Sequence, residues 1–147
     1  MMRILGIDLG DKRIGLALSD PMGWTAQGLE AISSSGGSKN DIRKIRDIAV
    51  KHEVEKVVVG LPLNMDGSPG PRAEKARDFA GRLAKALDLP VEMWDERLTT
   101  AEAQRVLIDA DVSRARRKQV IDKMAAILIL QNYLDAGYRK AEPDSLA

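Results

Sequence analysis

Two short segments of alternating polarity fill residues 3–19 and predict a β-hairpin with a tight turn at Gly10 and Asp11. One face of the hairpin carries small residues, with Asp8 in their midst. Burying a carboxylate without a partner is costly, so Asp8 is expected to face a cation or a solvent-filled cleft. On the residues alone, a paired structural aspartate and a metal ligand are equally good interpretations. The other face carries large aliphatic residues and is predicted to be core: Leu5, Ile7, Leu9, Ile14, Leu16 and Leu18.

The rest of the pattern predicts one more strand and then helices and strands in alternation. In chain order these are a strand at 25–32, a helix capped by Asn40, a strand at 56–60, a helix at 71–87, a strand at 90–94, a short helix opened by a Thr99-x-x-Glu102 capping box, and a helix at 116–136. Right-handed crossovers place the two later strands parallel to the first. The predicted fold class is α/β, a mixed five-stranded sheet of three antiparallel and two parallel strands with helices on both faces. Residues 1–138 are predicted to form a single domain, and residues 139–147 a short polar tail.

The composition limits which kinds of metal site are possible, but it does not indicate a binding partner. The 147 residues carry 23 Lys and Arg against 22 Asp and Glu, so net charge is uninformative. The absence of cysteine excludes disulfides and thiolate metal sites, and the single histidine, His52, excludes a His-rich site. Any catalytic metal must then be held by oxygen ligands, which favours Mg²⁺ or Mn²⁺. The sequence has no signal-peptide pattern and no apolar run of transmembrane length, so a cytoplasmic protein without membrane contact is expected.

Acidic residues from three places in the sequence are predicted to converge. Asp8 lies on the first strand, Asp95 and Glu96 end the last strand, and Asp122 begins an apolar stripe of the final helix. If the last strand lies two positions from the first, the gap between them is about 10 Å, which favours the longer Glu96 as the ligand. The alternative for Asp95 and Glu96 is surface charge or pairing with Arg97, and spacing alone favours that alternative.

Four collinear segments resemble the YqgF family over nearly the whole chain, from about Met2 to Leu134. The segments are GIDLGDKRIGLALSDP, VVVGLPLNMDG, DERLTT and DKMAAILILQ. The family consists of ribonuclease-H-like proteins, described as Holliday-junction resolvases and as the nuclease that trims the precursor of the small-subunit ribosomal RNA. The resemblance implies a ribonuclease-H-like fold and a metal-dependent nuclease acting in 5′-end maturation of pre-16S rRNA. It also implies that Asp8, Glu96 and Asp122 are the catalytic and metal-binding residues.

The residue chemistry agrees with this implication. Divalent ions held by carboxylates can activate a water and stabilise the leaving oxygen of a phosphodiester. Nucleic acid is therefore the expected partner, either precursor ribosomal RNA or branched DNA, and the chain is expected to be a monomer or a homodimer. Basic and amide residues are predicted to bind its backbone, each with the alternative of a solvated surface position: Lys12, Arg13, Asn64, Arg97, Arg114, Arg116 and Arg117.

Three alternative functions stay open on the sequence. A Holliday-junction resolvase would use the same carboxylates on branched DNA, with a two-fold dimer to cut two strands symmetrically. A ribonuclease-H-like module that binds nucleic acid without cutting it is the second. The third is an actin-like ATPase or sugar kinase, whose phosphate loop the opening hairpin also resembles. Those proteins need two such domains, and this chain has room for one.

Overall fold

The computed structural model describes residues 3–34 and 37–138, except for the side chains of residues 98, 100–102, 122, 137 and 138. The elements are, in chain order, β1 Arg3–Leu9, β2 Arg13–Ser19, β3 Ala26–Ser33, α1 Lys39–Lys51, β4 Val54–Leu61, α2 Pro71–Leu87, β5 Val91–Asp95, α3 Glu96–Asp109 and α4 Arg114–Tyr133, with a π-helical turn at Leu134–Tyr138. The predicted tail, 139–147, lies outside the described residues, and the single domain over 1–138 stays a prediction.

The five strands form one mixed sheet of order β3-β2-β1-β4-β5. Strands β1, β2 and β3 are antiparallel neighbours, whereas β4 and β5 run parallel to β1. This confirms the predicted fold class, and it places β5 two positions from β1 as expected. The carboxyl ends of β1, β4 and β5 therefore lie at the same edge of the sheet, where sites form in open α/β folds.

Helices cover both faces of the sheet, and each face has its own core. On one face, the predicted aliphatic positions of β1 and β2 pack with Ile45 of α1 and with Phe79 and Leu83 of α2. On the other, Ala17 and Val58 of the sheet pack against α4, whose contributing residues are Ala126, Ile129, Leu130 and Tyr133. Of the described helices, none is long and apolar enough to pass through a lipid bilayer.

Glycines on the second face allow α4 to lie directly on the strands. A Cβ added at Gly6 would stand 2.8 Å from Leu130 Cβ and 3.3 Å from the carbonyl oxygen of Ala126. One added at Gly15 would stand 3.4 Å from Ala126 Cβ. The small residues beside Asp8 therefore have a packing role, since they bring α4 close to the strand that carries this carboxylate.

Gly6→Ala is expected to lower the free energy of unfolding by about 1–3 kcal/mol, because the added methyl group overpacks a buried contact with α4. Gly81→Ala is a matched control, since nothing lies within 4 Å of its added Cβ and α2 gains a better helix former. That control should raise stability by about 0.5–1 kcal/mol. Urea unfolding curves measure both changes, and equal effects of the two substitutions would contradict the close approach of α4.

The structure corrects two of the predicted helix caps. Ser38, not Asn40, caps α1: its hydroxyl accepts from the Asp41 N–H, and the buried Asp41 carboxylate accepts from Ser38 N at 2.9 Å in return. Burial opposes ionisation of Asp41, but hydrogen bonds from Ser34, Ser38 and Gly37 outweigh it and lower its pKa. The predicted capping box at Thr99 is also wrong, because α3 begins at Glu96 and is capped by Asp95, so Thr99 lies inside the helix. Both observed caps are local motifs: Ser38 and Asp41 have capping-box spacing, and Asp95 accepts from the N–H of Arg97 two residues on. Several polar residues lie near each helix start, and the prediction chose the wrong one in both cases.

Candidate active site

A cleft of about 920 Å³ opens at the carboxyl ends of the parallel strands. Its walls come from the β1–β2 turn, β3, the first turn of α2, the start of α3, and α4. Asp8 and Glu96 both line it, so the structure brings together two of the three predicted acidic residues. The described lining residues are Asp8, Gly10, Lys12, Arg13, Gly15, Leu29, Ala31, Arg72, Glu96, Thr99, Gln119, Ile121, Lys123, Ala125, Leu128 and Ile129.

Asp8 is half-buried near the end of β1, opposite Gly15 of β2 in the antiparallel register. A Cβ added at Gly15 would lie 3.6 Å from Asp8 Cβ, so glycine at this position leaves space beside Asp8. Asp8 lies on a central strand of the sheet and lines the cleft.

Glu96 is the first residue of α3, and its side chain lies over Gly60 of β4. A Cβ on Gly60 would come within 2.9 Å of the Glu96 carboxyl carbon, so only glycine leaves room for this arrangement. Burial, followed by the negative charge of Asp8, raises the pKa of Glu96 to about 7. The positive charge of Arg72 acts in the opposite direction. The two carboxylates are therefore electrostatically coupled across the cleft.

Asp95 takes the other role that the sequence left open, pairing with Arg97. The Arg97 guanidinium donates to Asp95 from Nε at 3.1 Å and from Nη2 at 2.7 Å, and the Arg97 backbone N–H donates to the same carboxylate as a helix cap. The hydrogen bonds from Arg97 outweigh burial and lower the pKa of Asp95. Arg97 also donates to the Met65 carbonyl at 3.2 Å, which ties the start of α3 to the β4–α2 loop. Asp95 therefore fixes the start of α3, and the adjacent Glu96 is the residue that is coupled to Asp8.

Asp122 belongs to α4, but its side chain lies outside the described part of the structure. The neighbouring residues Ile121, Lys123 and Ala125 line the cleft, so the segment of α4 that carries Asp122 forms one of its walls. Among the described side chains, no three acidic or histidine residues form a cluster suited to a metal ion. The metal-binding roles of Asp8, Glu96 and Asp122 therefore stay predictions.

The described donors nevertheless fit a hard divalent ion. Both Asp8 and Glu96 supply carboxylate oxygens, which Mg²⁺ and Mn²⁺ prefer. Two like charges raise the free energy of the ionised pair, and a divalent cation between them removes that cost. The carboxylate pair is therefore the part of the cleft best suited to a metal ion.

The predicted nucleic-acid residues fall into two groups. Lys12 and Arg13 are exposed and line the cleft, and Arg114 and Arg116 are exposed on the first turn of α4. The other three make hydrogen bonds within the protein. Asn64 donates to the Ser68 hydroxyl, Arg97 binds Asp95, and Arg117 donates to Gln104 and to the Val112 carbonyl.

Sequence reasoning did not find four polar residues of the cleft: Arg72, Thr99, Gln119 and Lys123. A signal existed for Arg72, because it follows the loop that leaves the carboxyl end of β4 and so belongs at the edge of the sheet where the strands' loops converge. Thr99 was assigned to a helix cap instead. With Lys12 and Arg13, the side chains of Arg72 and Lys123 place positive charge on three walls around the carboxylate pair.

The sheet order and the helix across its glycine-rich face define a ribonuclease-H-like fold. A structure of Thermus thermophilus RuvC with a Holliday-junction substrate shares this fold, with a TM-score of 0.52 at 18% identity over 93% of this chain and 97% of that one. The chain belongs to the RuvX family, described as Holliday junction resolvase, whose model matches residues 2–136. This confirms the family resemblance carried by the four sequence segments.

Close relatives carry a more specific name, that of a candidate pre-16S rRNA nuclease. The protein of that name from Pelotomaculum thermopropionicum is 64% identical over 135 residues, covering 92% of this chain and 88% of the relative. Another, from Clostridium tetani, is 54% identical over 139 residues, covering 95% of this chain and 100% of the relative. The likeness extends over the whole length of strands and helices that build the cleft.

Proposed function

We propose that this chain is a divalent-metal-dependent nuclease that hydrolyses phosphodiester bonds of pre-16S ribosomal RNA, in 5′-end maturation in the cytoplasm. The observation that carries the proposal is the coupled pair of Asp8 and Glu96 in a cleft rimmed by cationic side chains. The names of relatives at 54–64% identity support the substrate. The family description supports a nuclease in general.

Asp8 and Glu96 hold the Mg²⁺ or Mn²⁺ in this proposal, with Asp122 as the third ligand. A bound divalent ion supplies a Lewis acid that polarises the phosphate and lowers the pKa of a water. Glu96 must lose its proton to act as a ligand, so the metal competes with protons at this group. Arg72 and Lys123 neutralise the phosphates beside the carboxylates, and the exposed side chains of the β1–β2 turn continue this positive surface.

The test is a cleavage assay with the purified full chain in Mg²⁺ or Mn²⁺. A fragment of ribosomal RNA precursor and a four-way DNA junction are offered side by side. Metal-dependent cutting of the RNA, abolished by chelator, is the expected result. Binding of both substrates without cutting of either would contradict the proposal and favour a non-catalytic module.

A junction resolvase is the second candidate, because the family description names that activity. Symmetric cutting of a junction needs two active sites related by a two-fold axis. Preferential cleavage of the four-way junction, together with a dimer in sedimentation, would therefore favour this candidate over the RNA nuclease. Cleavage of the RNA by a monomer would exclude it.

The basic start of α4 supports nucleic-acid binding outside the cleft. Arg114, Arg116 and Arg117 occupy the first turn, which has no acidic residue, although positive charge is unfavourable at a helix N-terminus. The hydrogen bonds of Arg117 to Gln104 and to the Val112 carbonyl account for that residue. Helix stability does not account for the exposed Arg114 and Arg116, and contact with a phosphate backbone is the role proposed for these two.

Arg114→Ala with Arg116→Ala is expected to weaken RNA binding and to reduce the slope of log affinity against log salt by about 1.4, or about 0.7 for each lost single-strand phosphate contact. Arg117 is left unchanged because it holds the α3–α4 connection. Arg43→Ala with Lys44→Ala, two exposed positions of α1, removes the same charge and should leave the slope unchanged. Filter binding across a salt series measures both, and equal slopes for the two variants would show that the α4 cluster is only solvated surface.

A further inference from the structure

A second cavity, a groove of about 290 Å³ between α3 and α4, lies next to the cleft. The two share Thr99, Ile121 and Leu128 as lining residues. A strand whose scissile phosphate lies at Asp8 and Glu96 would therefore have the groove beside the neighbouring nucleoside. Nothing in the proposed cleavage chemistry uses this groove.

Thr99 lies at the junction of the two cavities with its hydroxyl unused. The residue is 6% exposed, and its Oγ1 is the one buried side-chain polar atom of the described residues that has no hydrogen-bond partner. A buried hydroxyl without a partner is destabilising, and it can both donate and accept. Thr99 follows Glu96 by three residues in α3, so the two side chains share a helix face with Cβ atoms about 5–6 Å apart.

The walls of the groove are aliphatic, and parts of them are exposed to solvent. Val106 is 62% and Met124 is 37% exposed, and Leu107, Val120 and Leu128 complete the apolar lining. No lysine or arginine is among the described lining residues, in contrast to the cleft. The groove therefore suits a neutral, largely apolar group rather than a phosphate.

The polar rim of the groove is already held in place by the protein. Gln131 accepts from the Ala26 N–H at 2.9 Å and donates to the Trp24 carbonyl and to Asp135. Asn132 accepts from the Trp94 indole N–H at 2.8 Å. These bonds hold Gln131 and Asn132 in place, whereas the Thr99 hydroxyl, which also belongs to the lining, has no partner among the described residues.

We propose that this groove is a nucleoside subsite that takes the base next to the scissile phosphate, with the Thr99 hydroxyl hydrogen-bonded to that nucleoside. The proposal rests on the nuclease function proposed above. A base has apolar faces and a polar edge, which matches aliphatic walls with one hydroxyl at the inner end. The volume lies at the lower limit of small-molecule pockets, roughly 300 Å³, so the groove admits one base and not two.

The test uses RNA oligonucleotides from the precursor, each with a single abasic position, in a scan across the mapped cleavage site. In Mn²⁺, the full chain is expected to cleave the oligonucleotide that lacks the base beside the cut about tenfold more slowly than the intact oligonucleotide. The reason is that the favourable contact of one base is lost. Affinities are measured in parallel by fluorescence anisotropy, with the Asp8→Asn variant preventing cleavage. The same position should show the same loss of affinity.

Two substitutions test the groove itself. Thr99→Val removes the hydroxyl, and Ala103→Leu fills the groove from α3. Each should weaken binding of the intact oligonucleotide about tenfold. Each variant should also bind the intact and the abasic oligonucleotide equally well, because the base and the groove no longer interact. Thr99→Val should be no less stable than wild type in thermal melts, since the lost hydroxyl has no partner among the described residues. Ala86→Leu, the same enlargement at an exposed position of α2, should preserve both binding and penalty.

Equal affinity across the abasic series, or an abasic penalty that survives Ala103→Leu, would overturn the subsite. These two outcomes do not affect the nuclease proposal, which depends only on whether the wild type cuts the intact RNA. The opposite result is equally distinct. If wild type cuts no RNA, the abasic scan is run along the whole oligonucleotide, and a position-specific loss of affinity that Ala103→Leu cancels would refute the nuclease and retain the groove as a base-binding site.

Discussion

Asp8→Asn is expected to reduce metal-dependent cleavage by about a thousandfold or more, because several kcal/mol of transition-state stabilisation depend on an ion that this carboxylate holds. Asparagine keeps the shape of the side chain and removes its charge. In chelator, the variant should be no less stable than wild type, since the substitution removes a negative charge that faces Glu96. Cleavage in Mn²⁺ and thermal melts in chelator measure the two effects separately.

Asp11→Asn is the matched control for this experiment. Asp11 is exposed in the turn that follows β1 and is not among the residues that line the cleft. The control should cleave like wild type. Full activity of Asp8→Asn would refute the catalytic assignment. A loss of about 3–5 kcal/mol of stability in chelator would do so as well, because that is the cost of breaking a buried ion pair.

The second large effect is expected at Glu96, as a pH dependence of stability in the metal-free protein. The pKa of Glu96 is about 7 in the folded chain and near its ordinary value of 4.5 when unfolded. The folded state therefore binds the proton more tightly, and stability is lost as the pH rises from about 4.5 to 7. The Glu96→Gln variant, which has no proton to lose, should be more stable than wild type at pH 8 by about 3 kcal/mol and equally stable at pH 4.

Denaturant unfolding at a series of pH values in chelator tests this expectation. Glu55→Gln, at an exposed position of β4, serves as the control and should match wild type at each pH. Addition of Mn²⁺ at pH 8 should reverse the order, because the ion stabilises the wild-type carboxylate and not the amide. A Glu96→Gln difference that does not change between pH 4 and pH 8 would contradict the burial of this group beside Asp8.

Asp95 and Glu96 have different surroundings although they are adjacent in the chain. Asp95 forms a two-pronged ion pair with Arg97 that fixes the first turn of α3, whereas the Glu96 carboxyl group lies against Gly60 and is electrostatically coupled to Asp8. This division explains how one pair of adjacent acidic residues supplies both a structural cap and a candidate ligand.

Sequence alone determined the sheet and the position of the first carboxylate. Alternation with a period of two along residues 3–19 assigns every side chain of the hairpin to a face, so Asp8 is placed among small residues before any tertiary contact is known. Right-handed crossovers then fix the direction of β4 and β5 relative to β1. Both rules are local or topological, which is why the predicted fold agrees with the structure.

The tertiary structure decided which side chains share the cleft. Whether Asp95 or Glu96 faces Asp8 depends on the residue at which α3 begins, because one residue of helix rotates a side chain by about 100°. Arg72 lies 24 residues before Glu96 in the chain, and it shares the cleft with the carboxylates only because α2 and α3 begin at the same edge of the sheet. Long-range packing of this kind depends on contacts between segments far apart in the sequence, and no short stretch of sequence contains those contacts.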